Sequence, residues 1–304
     1  MNVSFVTLLW ALLSTDVFTI SQWGSGASQL VQLLMCHNSE PVDLQAIPCL
    51  QTILEHWQGT NQQGDPVEFL AHLMRGLNIS GIDMRWEKRI QIGVMTEAVD
   101  SSDAFAPMIL QFDPVLLQDD STTLRQLVRD WSSQDGMIRA LLHSSPLIYV
   151  QVDRHVRSGA GQIQKCDIPV NFHWGIEVPI YTGTNLTVMW KTYKVVAAIA
   201  HLGADNSGHC RALLRVQMNA QAKLPHMFLL TDDWVEAIPV WKEPTWFTRN
   251  VTCFWLCDME RLLPLALPEA PPMQAPRPPE PTPRVGAADF LKFFVDGTDE
   301  HAGT

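Results

Sequence analysis

The stretch of this chain richest in chemistry runs from Tyr193 to Leu214 and reads Tyr-Lys-Val-Val-Ala-Ala-Ile-Ala-His201-Leu-Gly-Ala-Asp-Asn-Ser207-Gly208-His209-Cys210-Arg-Ala-Leu-Leu. A hydrophobic run leads into a polar, glycine-bearing loop, and a Gly-His pair opens the next hydrophobic run. A histidine at a strand start, beside a residue with no Cβ, is placed to face a cleft. Its imidazole titrates near neutral pH, so His209 is a candidate general base. Asp232, 23 residues further on, sits with Asp233 after the run Met227 to Leu230. A carboxylate there can orient an imidazole and stabilise its protonated form. A nucleophile is harder to find. The cysteines stand at 36, 49, 166, 210, 253 and 257. Cys210 adjoins His209, and adjacent residues of a strand point to opposite faces, so the two do not share a cleft. On these residues alone, a loop histidine and a solvated acidic turn remain the simpler account.

The elements that must hold these residues are legible in outline. The first 75 residues read as helices, with Val31, Leu33 and Leu34 in one apolar stretch and Leu50, Ile53, Leu54 and Trp57 at helical spacing in another. Asp65-Pro66-Val67-Glu68 is a helix start: Asp65 caps, Pro66 suits the first helical position, and Phe69, Leu70, Leu73 and Leu77 form the buried stripe. Ile90 to Val94 alternates as a strand, and residues 121–142 read as a helix carrying Leu124, Leu127, Val128, Trp131 and Ile138. Strands then dominate: Leu147 to Val152, Tyr193 to His201, Cys210 to Gln217, Met227 to Leu230 and Val235 to Val240. Helices first and strands later is the α+β pattern. Nine prolines between Pro264 and Pro283 mark a polyproline-like linker. The chain is therefore expected to divide into a domain over 1–263, a linker over 264–284 and a tail over 285–304.

The 304 residues carry 21 Lys+Arg against 32 Asp+Glu, a formal charge of −11. Nucleic acid is a poor partner for such a chain, because neutralising phosphates dominates that affinity; basic partners suit it better. The apolar run Phe5 to Leu13 is too short to span a bilayer, and no Lys or Arg precedes Arg75 to make a signal-peptide n-region. It is expected to be a buried helix, and no membrane association is expected. The sparse, irregular cysteines suggest a reducing compartment, cytoplasmic or nuclear. Cys253 and Cys257 have no neighbouring His or Cys pair to complete a zinc site and read as small packed hydrophobes. No cofactor is implied.

Four blocks, spread over about residues 60–240, together resemble the ubiquitin-specific protease family, the papain-like deubiquitinases. The family's histidine box, H-x-G followed by a loop and S-G-H-Y, is similar to His201-Leu202-Gly203 and Ser207-Gly208-His209-Cys210. Its aromatic-[DN]-D turn is similar to Phe228-Leu-Leu-Thr-Asp232-Asp233. Its Q-Q-D-A-H-E-F-L helix start resembles Gln63-Gly64-Asp65-Pro66-Val67-Glu68-Phe69-Leu70, and its strand ending in K-R-F resembles Leu147 to Val156 with Arg154.

The resemblance implies a papain-like fold with an N-terminal helical subdomain and a C-terminal antiparallel β palm. It implies hydrolysis of isopeptide bonds at the C-terminus of ubiquitin, with ubiquitin or a ubiquitin-like protein as partner. His209 would be the base and Asp232 its partner; His201 would close a structural hydrogen bond. The departures matter more. The family's nucleophile is a Cys in N-x-G-N-T-C-Y-x-N-S, where the thiolate attacks. Here the box falls on Asn2-Val3-Ser4-Phe5-Val6, with Ser4 at the Cys position, or on Trp23-Gly24-Ser25-Gly26, with Ser25 there, or is missing. A serine is not activated by a site built for a low-pKa thiolate, and the Asn that helps hold the oxyanion has no counterpart before Ser4. Cys36 fits no motif as a substitute, and the zinc-bearing finger has no cysteines over 80–145. The expectation is a ubiquitin-specific-protease-like domain impaired in catalysis; the alternatives are a non-catalytic ubiquitin-binding module and a piece of a longer active enzyme.

Overall fold

The N-terminal apolar run forms α1 (Asn2–Leu13). It is apolar on nearly every side, and such a helix is stable only inside a protein. Leu8, Ala11 and Leu12 are buried, and so are Ser4 and Thr7. Carbonyls satisfy both hydroxyls: Thr7 Oγ1 donates to Val3 O (2.8 Å) and Ser4 Oγ to Pro66 O (2.9 Å). The structure, a computed structural model, describes residues 2–15, 48–57, 65–77, 79, 81–112, 121–134, 136–157, 163–172, 175–204, 207–215, 226–230, 235–239 and 244–262. The linker and tail expected beyond 263 lie outside them, as do Ser25, Cys36, Asp232 and Asp233. None of the described helices is long and apolar enough to cross a membrane.

Two more helices follow, α2 (Pro48–Glu55) and α3 (Pro66–Leu77). α3 starts where its sequence says it should. Asp65 Oδ1 accepts from Val67 N at 2.7 Å, satisfying one of the unpaired amides of the first turn. Phe69, Leu70, Leu73 and Leu77 are buried as its stripe. Next come β1 (Trp86–Ile92), β2 (Met95–Ser101), β3 (Met108–Gln111), β4 (Thr122–Thr123) and α4 (Leu124–Ser132). β5 (Ser133–Gln134), β6 (Met137–Leu141), β7 (Leu147–Asp153), β8 (His155–Arg157), β9 (Ile163–Lys165), β10 (Val170–Asn171) and β11 (Ile176–Tyr181) complete the middle of the chain. The last elements are β12 (Val188–Ala204), β13 (Ser207–Arg215), β14 (His226–Leu230), β15 (Val235–Pro239), α5 (Thr245–Asn250) and β16 (Val251–Asp258).

Two expectations change at glycines in the left-handed region, which turn the chain at little cost. Ile90 to Val94 is not one strand: Gly93 (φ 61°) turns it back as the β1–β2 hairpin. The helix expected to 142 stops at Ser132; Gly136 (φ 74°) turns β5 onto β6, which places Ile138 in a strand.

One large mixed sheet dominates, in the order β15-β14-β13-β12-β11-β6-β1-β2, with β16 joining β12 to β7 and β7 to β3. It is not purely antiparallel: β3 runs parallel to β7, and β6 to β11. Parallel neighbours need a long crossover, and the segment through α4 supplies one between β3 and β7. The 17-residue β12 is the spine, pairing with β11 at its start, β13 at its end and β16 along its other edge. Its residues Val195 to Ala200 are buried, with Phe254, Trp255 and Leu256 of β16 beside them. The fold is α+β, with few helices packed on a mixed sheet.

Candidate functional site

Ser4 occupies the first turn of α1, and its hydroxyl binds the Pro66 carbonyl in the first turn of α3. The two helix starts are thereby joined. The serine has no exposed surface, whereas a nucleophile must reach both substrate and base.

The β12–β13 register decides what faces α1. His201 pairs with Cys210, Leu202 with His209 and Gly203 with Gly208. Opposed residues of an antiparallel pair share a face and neighbours along a strand do not. His201 and Cys210 therefore lie on one face with Ile199 and Ala212, continued across β16 by Cys253 and Trp255. That face lies under α1: Cys257, two residues beyond Trp255, donates its thiol to Ser14 O at 3.8 Å. His209 lies on the other face with Arg211, whose guanidinium sits 5.1 Å from the ring centre of Trp246 in α5. His209 is exposed there. The structure thus brings His201, not His209, to the side of the sheet that carries Ser4.

Three described thiols are held in their neutral form. Burial pushes Cys253, which has no exposed surface, far above the ordinary thiol range, and pushes Cys166 up as well. Cys210 also titrates high, mainly through burial; the chain's amino terminus and Lys165 act against this, and the Asp65 carboxylate adds to it. Cys253 and Cys257 are buried in the core, as small packed hydrophobes should be.

A cleft of about 180 Å³ opens on the same side of the sheet. Asp65 at the start of α3, Gln151 and Asp153 at the end of β7, His155 and Lys165 of the β8–β9 ribbon, and His201 of β12 all line it. Gln151 Nε2 donates to Asp65 Oδ2 at 3.4 Å, and His155 Nδ1 lies 3.2 Å from Asp153 Oδ1. Under the cleft runs Arg154, which is almost fully buried. Nε donates to Val251 O, Nη1 to Cys166 O and Ile168 O, and Nη2 to Thr248 O, at 2.8–3.2 Å. Among the described residues Cys166 and the Asp167 carboxylate only partly offset the effect of burial, which lowers its pKa to about 10. The His201 ring lies over Gly208; a Cβ there would collide with His201 Nε2 and the Leu202 carbonyl oxygen. Glycine in the Ser-Gly-His run is thus a steric requirement.

Of the residues expected to act, Ser4 and His209 are on opposite sides of the sheet, and Asp232 lies outside the described residues. Asp153, His155 and Lys165 are not among the residues that the sequence motifs single out. A run of three polar residues closing the hydrophobic β7, Asp153-Arg154-His155, was the available signal for the first two.

No protein-family model matches the chain, and no curated protein matches it. Solved structures of the SAGA Ubp8/Sgf11/Sus1/Sgf73 deubiquitinase (DUB) module do. A variant of that module is 14% identical over 86% of this chain and 67% of the matched chain, with a TM-score of 0.54. The module bound to ubiquitin aldehyde is 11% identical over 85% of this chain and 64% of its own, with a TM-score of 0.51. In a further structure, of the yeast module, this chain spans 49% of the matched chain. The likeness is a distant one, of fold alone.

Proposed function

We propose that this chain is a ubiquitin-specific-protease-like domain that grips the extended C-terminal tail of ubiquitin or a ubiquitin-like protein without cutting it at Ser4. The cleft beside Asp65 would take the tail between a helical subdomain and a β palm, with no zinc finger. The observation that carries the reading is the placement of Ser4. Its hydroxyl has no exposed surface and is committed to Pro66 O, and His209 projects from the opposite side of the sheet. An acyl transfer needs nucleophile and base within hydrogen-bond reach of each other. The raised Cys166, Cys210 and Cys253 thiols supply no thiolate in its place. The acid-rich balance of the chain suits a basic tail.

Two measurements test this. A titration of the full chain with ubiquitin should give saturable binding, and hydrolysis of a ubiquitin C-terminal fluorogenic amide should not exceed the buffer rate. Hydrolysis that disappears in His209→Ala overturns the non-cutting reading. Absence of binding at high micromolar ubiquitin overturns the partner.

A further inference from the structure

β8 and β9 form a ribbon of their own, apart from the large sheet. Its base is fixed: Cys166 N, just after β9, donates to Arg154 O at 2.7 Å, and Arg154 Nη1 donates back to Cys166 O. Above the base, His155 and Lys165 are direct cross-strand partners, so their side chains leave the ribbon on one face. That face is a wall of the cleft. From it Lys165 reaches the end of β12, where Nζ donates to His201 O and to Gly203 O, both at 3.0 Å. These acceptors sit where β12 leaves regular strand geometry, with Gly203 at φ 115°. The ribbon approaches β12 here without joining its ladder, since among the described strands β8 and β9 pair with each other alone.

We propose that Lys165 is a positioning residue, a latch that holds the ribbon wall and the His201–Gly203 wall of the cleft at one separation, so that an extended peptide tail meets a preformed groove. The inference rests on the reading of this cleft as a tail-binding site. An ammonium suits the task because it donates to several carbonyls at once, and charge-assisted bonds are stronger than neutral ones. Fixing the walls beforehand spares the bound state the cost of ordering them. Lys165 touches no reacting group in this scheme; it acts through the shape of the groove.

The test compares wild type, Lys165→Met and Lys165→Arg by amide hydrogen exchange and by titration with ubiquitin. Lys165→Met should speed exchange about tenfold in β9 and at residues 201–203, while β7 and β16 stay as protected as in wild type. Its affinity for ubiquitin should fall about five- to tenfold. Lys165→Arg keeps donors at the same place and should stay within about twofold of wild type. Unchanged exchange at both walls overturns the latch, as does wild-type affinity in Lys165→Met. Exchange that rises equally in β7 and β16 overturns it too, because the residue is then only a general stabiliser. If wild type itself fails to bind ubiquitin, the tail-binding reading falls, and the latch is decided by the exchange data alone.

Discussion

Replacing Arg154 with Met removes the donor of four hydrogen bonds to the carbonyls of Val251, Cys166, Ile168 and Thr248. Each buried carbonyl left without a partner costs at least about 1 kcal/mol, so the gross loss is about 4–6 kcal/mol. An opposing effect comes from the charge. Burial lowers the guanidinium pKa from 12.5 to about 10, which means the charged form is disfavoured in the folded state by about 3 kcal/mol, and Met removes that penalty. The net expectation is a loss of about 2 kcal/mol, or about 4–8 °C in Tm for a chain of this size. Arg154→Lys, with a compact ammonium that cannot reach all four carbonyls, should fall between wild type and Met. Urea unfolding followed by tryptophan fluorescence measures all three proteins. The pH dependence is a separate check. A base with a lowered folded pKa stays charged in both states below about pH 10, so the difference between wild type and Met should be flat from pH 5 to 9. Above pH 10 the folded arginine loses its proton first, the unfolded chain binds more protons, and wild type should gain stability relative to Met. A loss below about 0.5 kcal/mol, or a difference that changes steadily between pH 5 and 9, would refute the account of Arg154 as a buried charge held by carbonyls.

Gly208→Ala puts a methyl group against His201 Nε2 and the Leu202 carbonyl oxygen and should destabilise by about 1–3 kcal/mol. Adding His201→Ala should relieve only part of that loss in a double-mutant cycle, because the carbonyl clash remains. Iodoacetamide at pH 7.5, read by peptide mass mapping, should label Cys166, Cys210 and Cys253 at least tenfold more slowly in native protein than in urea, since burial holds each thiol above its ordinary range. Raising the pH to 9 should narrow the gap for the half-buried Cys210 before it does so for Cys253.

What the sequence made legible was local. α3 could be placed because a cap, a proline and an apolar stripe agree at Asp65, Pro66 and Phe69. β7 could be placed because Leu147 to Val152 is an apolar run, broken only by Gln151, between Pro146 and Asp153. The helix expected through Ile138 failed because apolar spacing was followed past the Asp-Gly turn signal at 135–136. The face of His209 was beyond reach for a different reason. It depends on the register of β12 against β13, where a slip of one residue moves every side chain to the other side of the sheet. Family likeness placed His209 towards the nucleophile; the pairing of His201 with Cys210 places it away. Lys165 carried no local signal at all, since its acceptors lie at His201 and Gly203.

Two separate conditions stand between Ser4 and a working nucleophile, and substitution can address them one at a time. The first is the base: on the sheet face under α1 the His201 ring is packed over Gly208, and its cross-strand partner Cys210 brings no imidazole. The second is access: the residue at position 4 has no exposed surface and is bonded to Pro66 O. Ser4→Cys supplies a thiol but meets neither condition, so hydrolysis of a ubiquitin C-terminal fluorogenic amide should stay at the buffer rate. Adding Cys210→His puts a second imidazole, opposite His201, on the face under α1 and meets the first condition only. The double variant should also stay inactive, and the thiol introduced at position 4 should resist iodoacetamide until the chain is unfolded. Activity in Ser4→Cys alone that depends on His209 would refute the assignment of faces. Activity only in the double variant would confirm the faces and refute burial as the barrier. Inactivity together with rapid alkylation at position 4 would likewise refute burial, and the missing element would then lie in the oxyanion donors, which such a reaction needs at a cost of about 10²–10³ in rate when one is lost.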